Sequence, residues 1–213
     1  MNYPYVAISN DLHEYSKYKI SKLIRNMNLI KSDNGNTFEP ESKLKAREIL
    51  GLFLQTITLI KITSKNLSFG SDIDNGDGTI GVMNSQDSNE GRLYEQVFVY
   101  SYINDNTKLQ KILEDRIDKK CNDQLHNYRG RDLIALINKE GLIDKRKLYE
   151  KYKSNNAFKL ISVIGKLNNI SRSFLNSIIK NDEGTIGDFK IIFNDDYSDW
   201  EIEYIPFSFI KNL

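Results

Sequence analysis

The sequence predicts an α+β fold that is rich in helix, and three observations predict it. Apolar residues recur at three- and four-residue steps along several stretches, as they do on one face of a helix. Near the end of the chain Phe189, Ile191 and Phe193 alternate with polar residues, and Trp200, Ile202 and Tyr204 alternate again after a turn at Asp195 to Asp199, which is hairpin patterning. Residues 151–180 carry six Lys or Arg and no Asp or Glu, although the whole chain is nearly neutral, with 30 basic and 29 acidic residues.

In chain order, YPYVAI at 3–8 reads as a short edge strand, with Pro4 suited to an edge. Asp11 stands where it caps a helix whose apolar face is Ile20, Leu23, Ile24 and Met27, with Lys22 and Arg25 opposite. SDNGN at 32–36 reads as a turn. Pro40 then opens a second helix, in which Leu44, Ile49, Leu50, Leu52, Phe53 and Leu54 surround most of the cylinder. A helix apolar on most sides is a core helix. ITLIKIT at 57–63 is β-branched and reads as a strand.

Gly, Asp, Asn and Ser dominate residues 70–91, which read as an exposed loop, a hairpin or a linker. Asp72, Asp74 and Asp77 do not make a calcium loop: the spacing is one residue too long and no Glu closes it. Leu93 to Ile103 fits helix and strand equally. Leu109, Ile112, Leu113, Ile117 and Cys121 form the buried stripe of an amphipathic helix after Asp105. HNYRGR at 126–131 reads as a helix stop whose Arg129 and Arg131 have the chemistry to grip a backbone phosphate. Leu133, Ile134, Leu136 and Ile137 read as a further short helix ended by Gly141, and Asp144 caps the next.

In the basic stretch Phe158, Ile161, Ile164 and Leu167 lie on one helical stripe, Asn168 to Ile170 make a turn, and Ser171 caps a second helix from Arg172 to Lys180. Helix, turn, helix and two-stranded ribbon is the order of a winged helix. Arg172, Ser173, Asn176, Ser177 and Lys180 then face outward, and these types suit phosphates and base edges. The ribbon is unfavourable to phosphate, since residues 181–213 hold eight acidic residues against two lysines.

GTIG occurs at 78–81 and again at 184–187, and residues 57–81 align loosely with 161–187. A tandem of two related units follows if this is a duplication. The expected organisation is an N-terminal unit at 1–70, a loop or linker at 71–91, and a helical segment leading into the winged-helix-like unit at 92–213.

Much chemistry is excluded. Cys121 is the only cysteine, and His13 and His126 lack metal-ligand spacing, so neither an internal disulfide nor a zinc site is expected. There is no phosphate-binding loop, dinucleotide fingerprint or nucleophile elbow. No apolar run or leader-like start points to a membrane, so a cytoplasmic location is the default expectation. The Asn-, Lys- and Ile-rich composition suggests an AT-rich microbial genome. The expected function is therefore non-catalytic binding without cofactor or metal: to double-stranded DNA, or to a protein partner as the accessory subunit of a larger complex, in antiviral defence or beside an SMC-type ATPase. Tandem winged-helix subunits of such ATPases resemble this general architecture, by analogy of fold alone. The alternative is a small metal-dependent nuclease of a defence or mobile-element system. That chemistry requires clustered carboxylates with a lysine nearby to position water. The nearest candidates in sequence are Asp188, Asp199, Glu201 and Glu203, with Lys190.

Overall fold

The computed structural model describes residues 12–25, 46–70, 77–82, 91–100, 108–123, 128, 130–167 and 172–209. Its centre is one eight-stranded mixed sheet: β1 (Leu67–Gly70), β2 (Gly78–Val82), β3 (Arg92–Tyr100), β4 (Arg131–Asn138), β5 (Phe158–Lys166), β6 (Ser173–Asn181), β7 (Gly187–Phe193) and β8 (Trp200–Pro206). The strands lie in the sheet in chain order. β1 to β3 form an antiparallel meander, β3, β4 and β5 run parallel, and β5 to β8 return to antiparallel pairing. The two parallel connections contain helices α4 (Leu109–Cys121) and α5 (Lys145–Tyr152), as parallel pairing demands a crossover.

The sheet divides the core in two. On one face Leu109, Leu113 and Ile117 of α4 and Leu148 and Tyr152 of α5 pack against Val97, Leu133, Ile161 and their neighbours. On the other lies α3 (Ala46–Thr63), preceded in the chain by α1 (Leu12–Tyr15), a π-helical turn (Ser16–Ile20) and α2 (Ser21–Arg25). The sheet curls round α3. The ring of Phe53 lies 6.2 Å from Phe69 on β1, 6.3 Å from Phe193 on β7 and 5.5 Å from Trp200 on β8, so one helical side chain touches strands from both ends of the sheet. α3 also approaches β3 closely: a Cβ at Gly51 would stand 2.4 Å from Gln96 Oε1.

This half-barrel overturns the helix-rich, winged-helix expectation. The two helices read at 158–167 and 172–180 are strands β5 and β6, and the short helix read at 133–137 is β4. These strands are interior to the sheet and covered on both faces over most of their length, so their apolar residues form runs that satisfy helical spacing by accident. The opposite correction applies at 57–63, which continues α3. The hydroxyls of Thr56, Thr58 and Thr63 donate to the carbonyls of Leu52, Leu54 and Leu59 at 2.7, 2.8 and 2.8 Å, which satisfies polar, β-branched residues inside a helix. The tandem relationship fails with it: ITLIKIT is helical where ISVIGKL is extended, and the first GTIG is strand β2 while the second leads through a turn into β7.

Other elements match the patterning. Ile20, Leu23 and Ile24 are buried with Lys22 and Arg25 exposed, the buried stripe of α4 is in place, and Asp144 accepts a hydrogen bond from the Lys147 N–H at 3.0 Å. Leu93 to Tyr100, ambiguous in sequence, is strand. YPYVAI, SDNGN, Pro40 and Arg129 lie outside the described residues. Among the described residues no helix is long and apolar enough to cross a membrane.

Candidate functional site

The β6 residues expected to contact DNA do not share a surface. Asn176 is fully buried and donates to Gln55 Oε1 at 2.9 Å and Thr58 Oγ1 at 3.0 Å, tying β6 to α3. Ser177 points to the opposite face and donates to Asp188 at 2.6 Å. Lys180 is buried and paired with Asp182. Arg172 precedes the strand and is held by Asp195 at 2.6 Å and the Asn194 carbonyl at 3.3 Å, while Ser173 begins the strand. A strand sends alternate side chains to opposite faces, and that disperses a set that a helix would have gathered.

The carboxylates suggested for a nuclease do not converge either. Asp188 is buried beside Lys145 and Ser177, Glu203 faces Lys190 at 3.8 Å on the outside of β8, and Asp199 lies 3.5 Å from His13.

A different group of residues does come together, where β2, β3 and β4 begin. Asp77 directly precedes β2. Its N–H donates to the Tyr94 carbonyl at 3.0 Å and its Oδ2 accepts from the Gln96 N–H at 2.7 Å, so it grips β3 on both sides of Glu95. Gly78 makes this entry possible: its φ is +153°, and a Cβ there would stand 2.3 Å from Leu52 Cδ1. Glu95 is buried on the α4 face of the sheet. Its Oε2 accepts from Lys120 Nζ at 2.7 Å and its Oε1 from Arg131 Nη1 at 2.7 Å. Lys120 belongs to the last turn of α4, where the helix dipole favours a cation. Arg131 is the first residue of β4 and comes from the HNYRGR segment.

The electrostatics are balanced and tight. Burial by itself opposes the charge on Lys120, but the hydrogen bond and attraction from Glu95, with Asp77 adding, hold its pKa above the usual lysine value. Lys120 Nζ also stands 5.0 Å from the centre of the Tyr128 ring, which stacks on Phe158. The Tyr128 hydroxyl donates to Asp123 at 3.2 Å, and burial pushes this phenol up. Glu95, Lys120, Arg131 and Tyr128 thus meet at one place, from inside β3, the end of α4, the start of β4 and the segment before it, with the charge of Asp77 acting on Lys120 from the start of β2.

Directly behind, on the α3 face of β4, Asp132 is fully buried with Arg92 Nε 3.1 Å away. Burial pushes its carboxyl up to about 6, against the attraction of that guanidinium. Arg92 continues to Glu183 in the β6–β7 turn at 3.2 Å, so the strand ends that carry the cluster are braced from behind.

Among the described residues no group of three or more His, Cys, Asp or Glu side chains is arranged to hold a metal ion. Two carboxylates are nevertheless a recognised donor set for magnesium, which completes its octahedron with waters and substrate phosphate oxygens. Asp77 Oδ1 accepts no hydrogen bond among the described residues.

Sequence reasoning reached Arg131 as a phosphate contact and Asp77 only as part of a failed calcium loop; Glu95 and Lys120 were missed. The available signal was an Asp-Gly opening one strand, an acid inside the next apolar strand and a lysine pair ending the following helix. Comparison with known proteins finds no family model, curated protein or solved structure that matches this chain.

Proposed function

We propose that this chain is a metal-dependent nuclease whose working residues are Asp77, Glu95 and Lys120, with Arg131 as a phosphate contact. The observation that carries the reading is the pairing of Lys120 with Glu95 at 2.7 Å, with Asp77 bound to the next residue's N–H on the same strand and its charge acting on Lys120. A divalent cation bound there would polarise a phosphoryl oxygen and lower the pKa of its water. Asp77 and Glu95 would supply the oxygen ligands. Lys120, held charged by its surroundings, would orient the attacking water or stabilise charge on the phosphorane-like transition state. Arg131 supplies the planar donor fork that suits a phosphate.

Labelled single-stranded and duplex DNA, incubated with the protein and Mg2+ or Mn2+, tests this. Cleavage should appear, vanish with EDTA, and be lost in Glu95→Gln and Asp77→Asn variants that keep the parent circular dichroism spectrum. Absence of cleavage under every metal condition, or activity surviving Glu95→Gln, defeats the reading. Salt-sensitive binding without cleavage would instead support a binding subunit.

A further inference from the structure

We propose that the open edge of β8 takes up an extended segment of a partner protein, one that alternates apolar and basic residues and adds to the sheet as a further antiparallel strand. No residue of β8 belongs to the site at β2, β3 and β4, so the nuclease reading is not needed for it. β8 ends the strand order and pairs only with β7 among the described residues. Its register continues the bond from the Asn194 N–H to the Asp199 carbonyl, at 3.1 Å, so Glu201 and Glu203 turn their backbone groups toward β7. The backbone groups of Trp200, Ile202 and Tyr204 therefore point away from the sheet. The Trp200 N–H agrees, since it donates at 2.8 Å to Asp199 Oδ1 and not to β7. Ile202 and Tyr204 have no such cover among the described residues, and present unpaired N–H and C=O groups in a row, the template for an added strand.

The side chains of β8 specify the occupant. On the α3 face Trp200 and Ile202 pack against the core, while Tyr204 keeps 43 % of its surface exposed. On the other face Glu201, Glu203 and Ile205 are exposed. Glu203 has Lys190 at 3.8 Å, and Glu201 has no cationic partner among the described residues. In an antiparallel pair, residues that exchange hydrogen bonds sit directly opposite and share a face. Residues of the incoming strand that bond to Ile202 and Tyr204 thus lie on the α3 side and suit apolar types. Those between them stand beside Glu201 and Glu203 and suit Lys or Arg. A second copy fits badly: pairing Ile202 with Ile202 about a two-fold axis sets Glu201 opposite Glu203 twice, and like charges directly opposite are destabilising. The two carboxylates therefore keep a second copy off and admit a basic strand. The other edge strand, β1, is four residues long and three of them are buried.

The test is fluorescence anisotropy of the full chain with a labelled peptide of about eight residues that alternates valine with lysine. It should bind with a Kd below about 1 mM, and a peptide alternating valine with glutamate should bind at least about tenfold more weakly. N-methylating the valines removes the donors aimed at β8 and should weaken binding by at least about tenfold. N-methylating the lysines, whose N–H groups face away from β8, should change it by less than about threefold. Glu201→Lys/Glu203→Lys, at two exposed positions, should reverse the preference and favour the glutamate peptide. The N-methylated pair uses the parent chain, so it decides the matter even if that variant does not fold. Lysine-peptide binding that survives valine N-methylation, or that falls equally with lysine N-methylation, is not pairing at this edge and overturns the proposal. No binding up to about 1 mM overturns it as well. A parent chain that dimerises in sedimentation and excludes the peptide as its concentration rises has a second copy on the edge, which also overturns it.

Discussion

Lys120 Nζ and Glu95 Oε2 stand 2.7 Å apart across the seam between α4 and β3, an ion pair that joins the crossover helix to the sheet at the place where Asp77 also arrives. Removing the lysine separates its chemical role from its structural one. Lys120→Met should keep Arg131 on Glu95 and retain the fold, yet lower metal-dependent cleavage by at least about a hundredfold, as measured by single-turnover gels. Glu95→Ala strands two cations instead, and should cost on the order of 3 kcal/mol in urea unfolding. Full activity in Lys120→Met would leave the lysine a structural brace only.

Asp132 makes stability fall as pH rises. Its carboxyl is held up to about 6 by burial in the fold, whereas an unfolded aspartate loses its proton near 3.9. The raised folded value means that the protonated state's stabilisation is fully present below about pH 4 and is lost as pH rises through about 6. Asp132→Asn should therefore unfold at a higher urea concentration than the parent at about pH 7.5, by on the order of 1–3 kcal/mol, with the gap closing near pH 4. No gain at neutral pH would mean that Arg92 offsets the burial in full.

Asn176 serves as a buried tie between β6 and α3, and its substitution should behave accordingly. Asn176→Ala leaves Gln55 and Thr58 without their donor and should destabilise by about 2–3 kcal/mol. Duplex affinity of the folded variant should stay within about twofold of the parent by fluorescence anisotropy, whereas a base-reading asparagine would cost more.

Phe53 holds the curl of the sheet. Phe53→Ala should cost about 3–5 kcal/mol, because the cavity opens toward β1, β7 and β8 together. Phe53→Leu, which refills most of the space, should recover more than half of the loss on the same denaturation curve.

Cys121 should be chemically quiet. Burial, with the nearby Asp118 charge, pushes its thiol up to about 11. Iodoacetamide at about pH 8 should label the native chain far more slowly than the urea-unfolded one, by mass spectrometry. Equal rates would show the thiol to be open and ionised.

The elements legible in the sequence are those with one wet face. The stripe of α4, the charged side of α2, the Asp144 cap and the alternation of β7 and β8 all put a period into the sequence because one side meets solvent. β4, β5 and β6 are covered on both faces over most of their length, so LIALI at 133–137 and Ile161 to Ile164 carry no alternation to read. The basic character of 151–180 was real as composition, but Lys180, Lys151 and Arg172 are spent on local ion pairs. The site was least legible because its parts are far apart in sequence: the Asp77–Gln96 contact spans 19 residues, Lys120–Glu95 25 and Arg131–Glu95 36. No local spacing rule joins them until the strand order is known.

That strand order also bears on how the chain reaches its native state. Every strand pairs with its immediate predecessor in sequence, so none has to be threaded between two that are already joined. Assembly can proceed by accretion from the parallel centre outward in both directions, each step closing only a short loop. The one long-range event left is the meeting of the two outer meanders on Phe53, and late folding intermediates should therefore be open sheets with an intact centre.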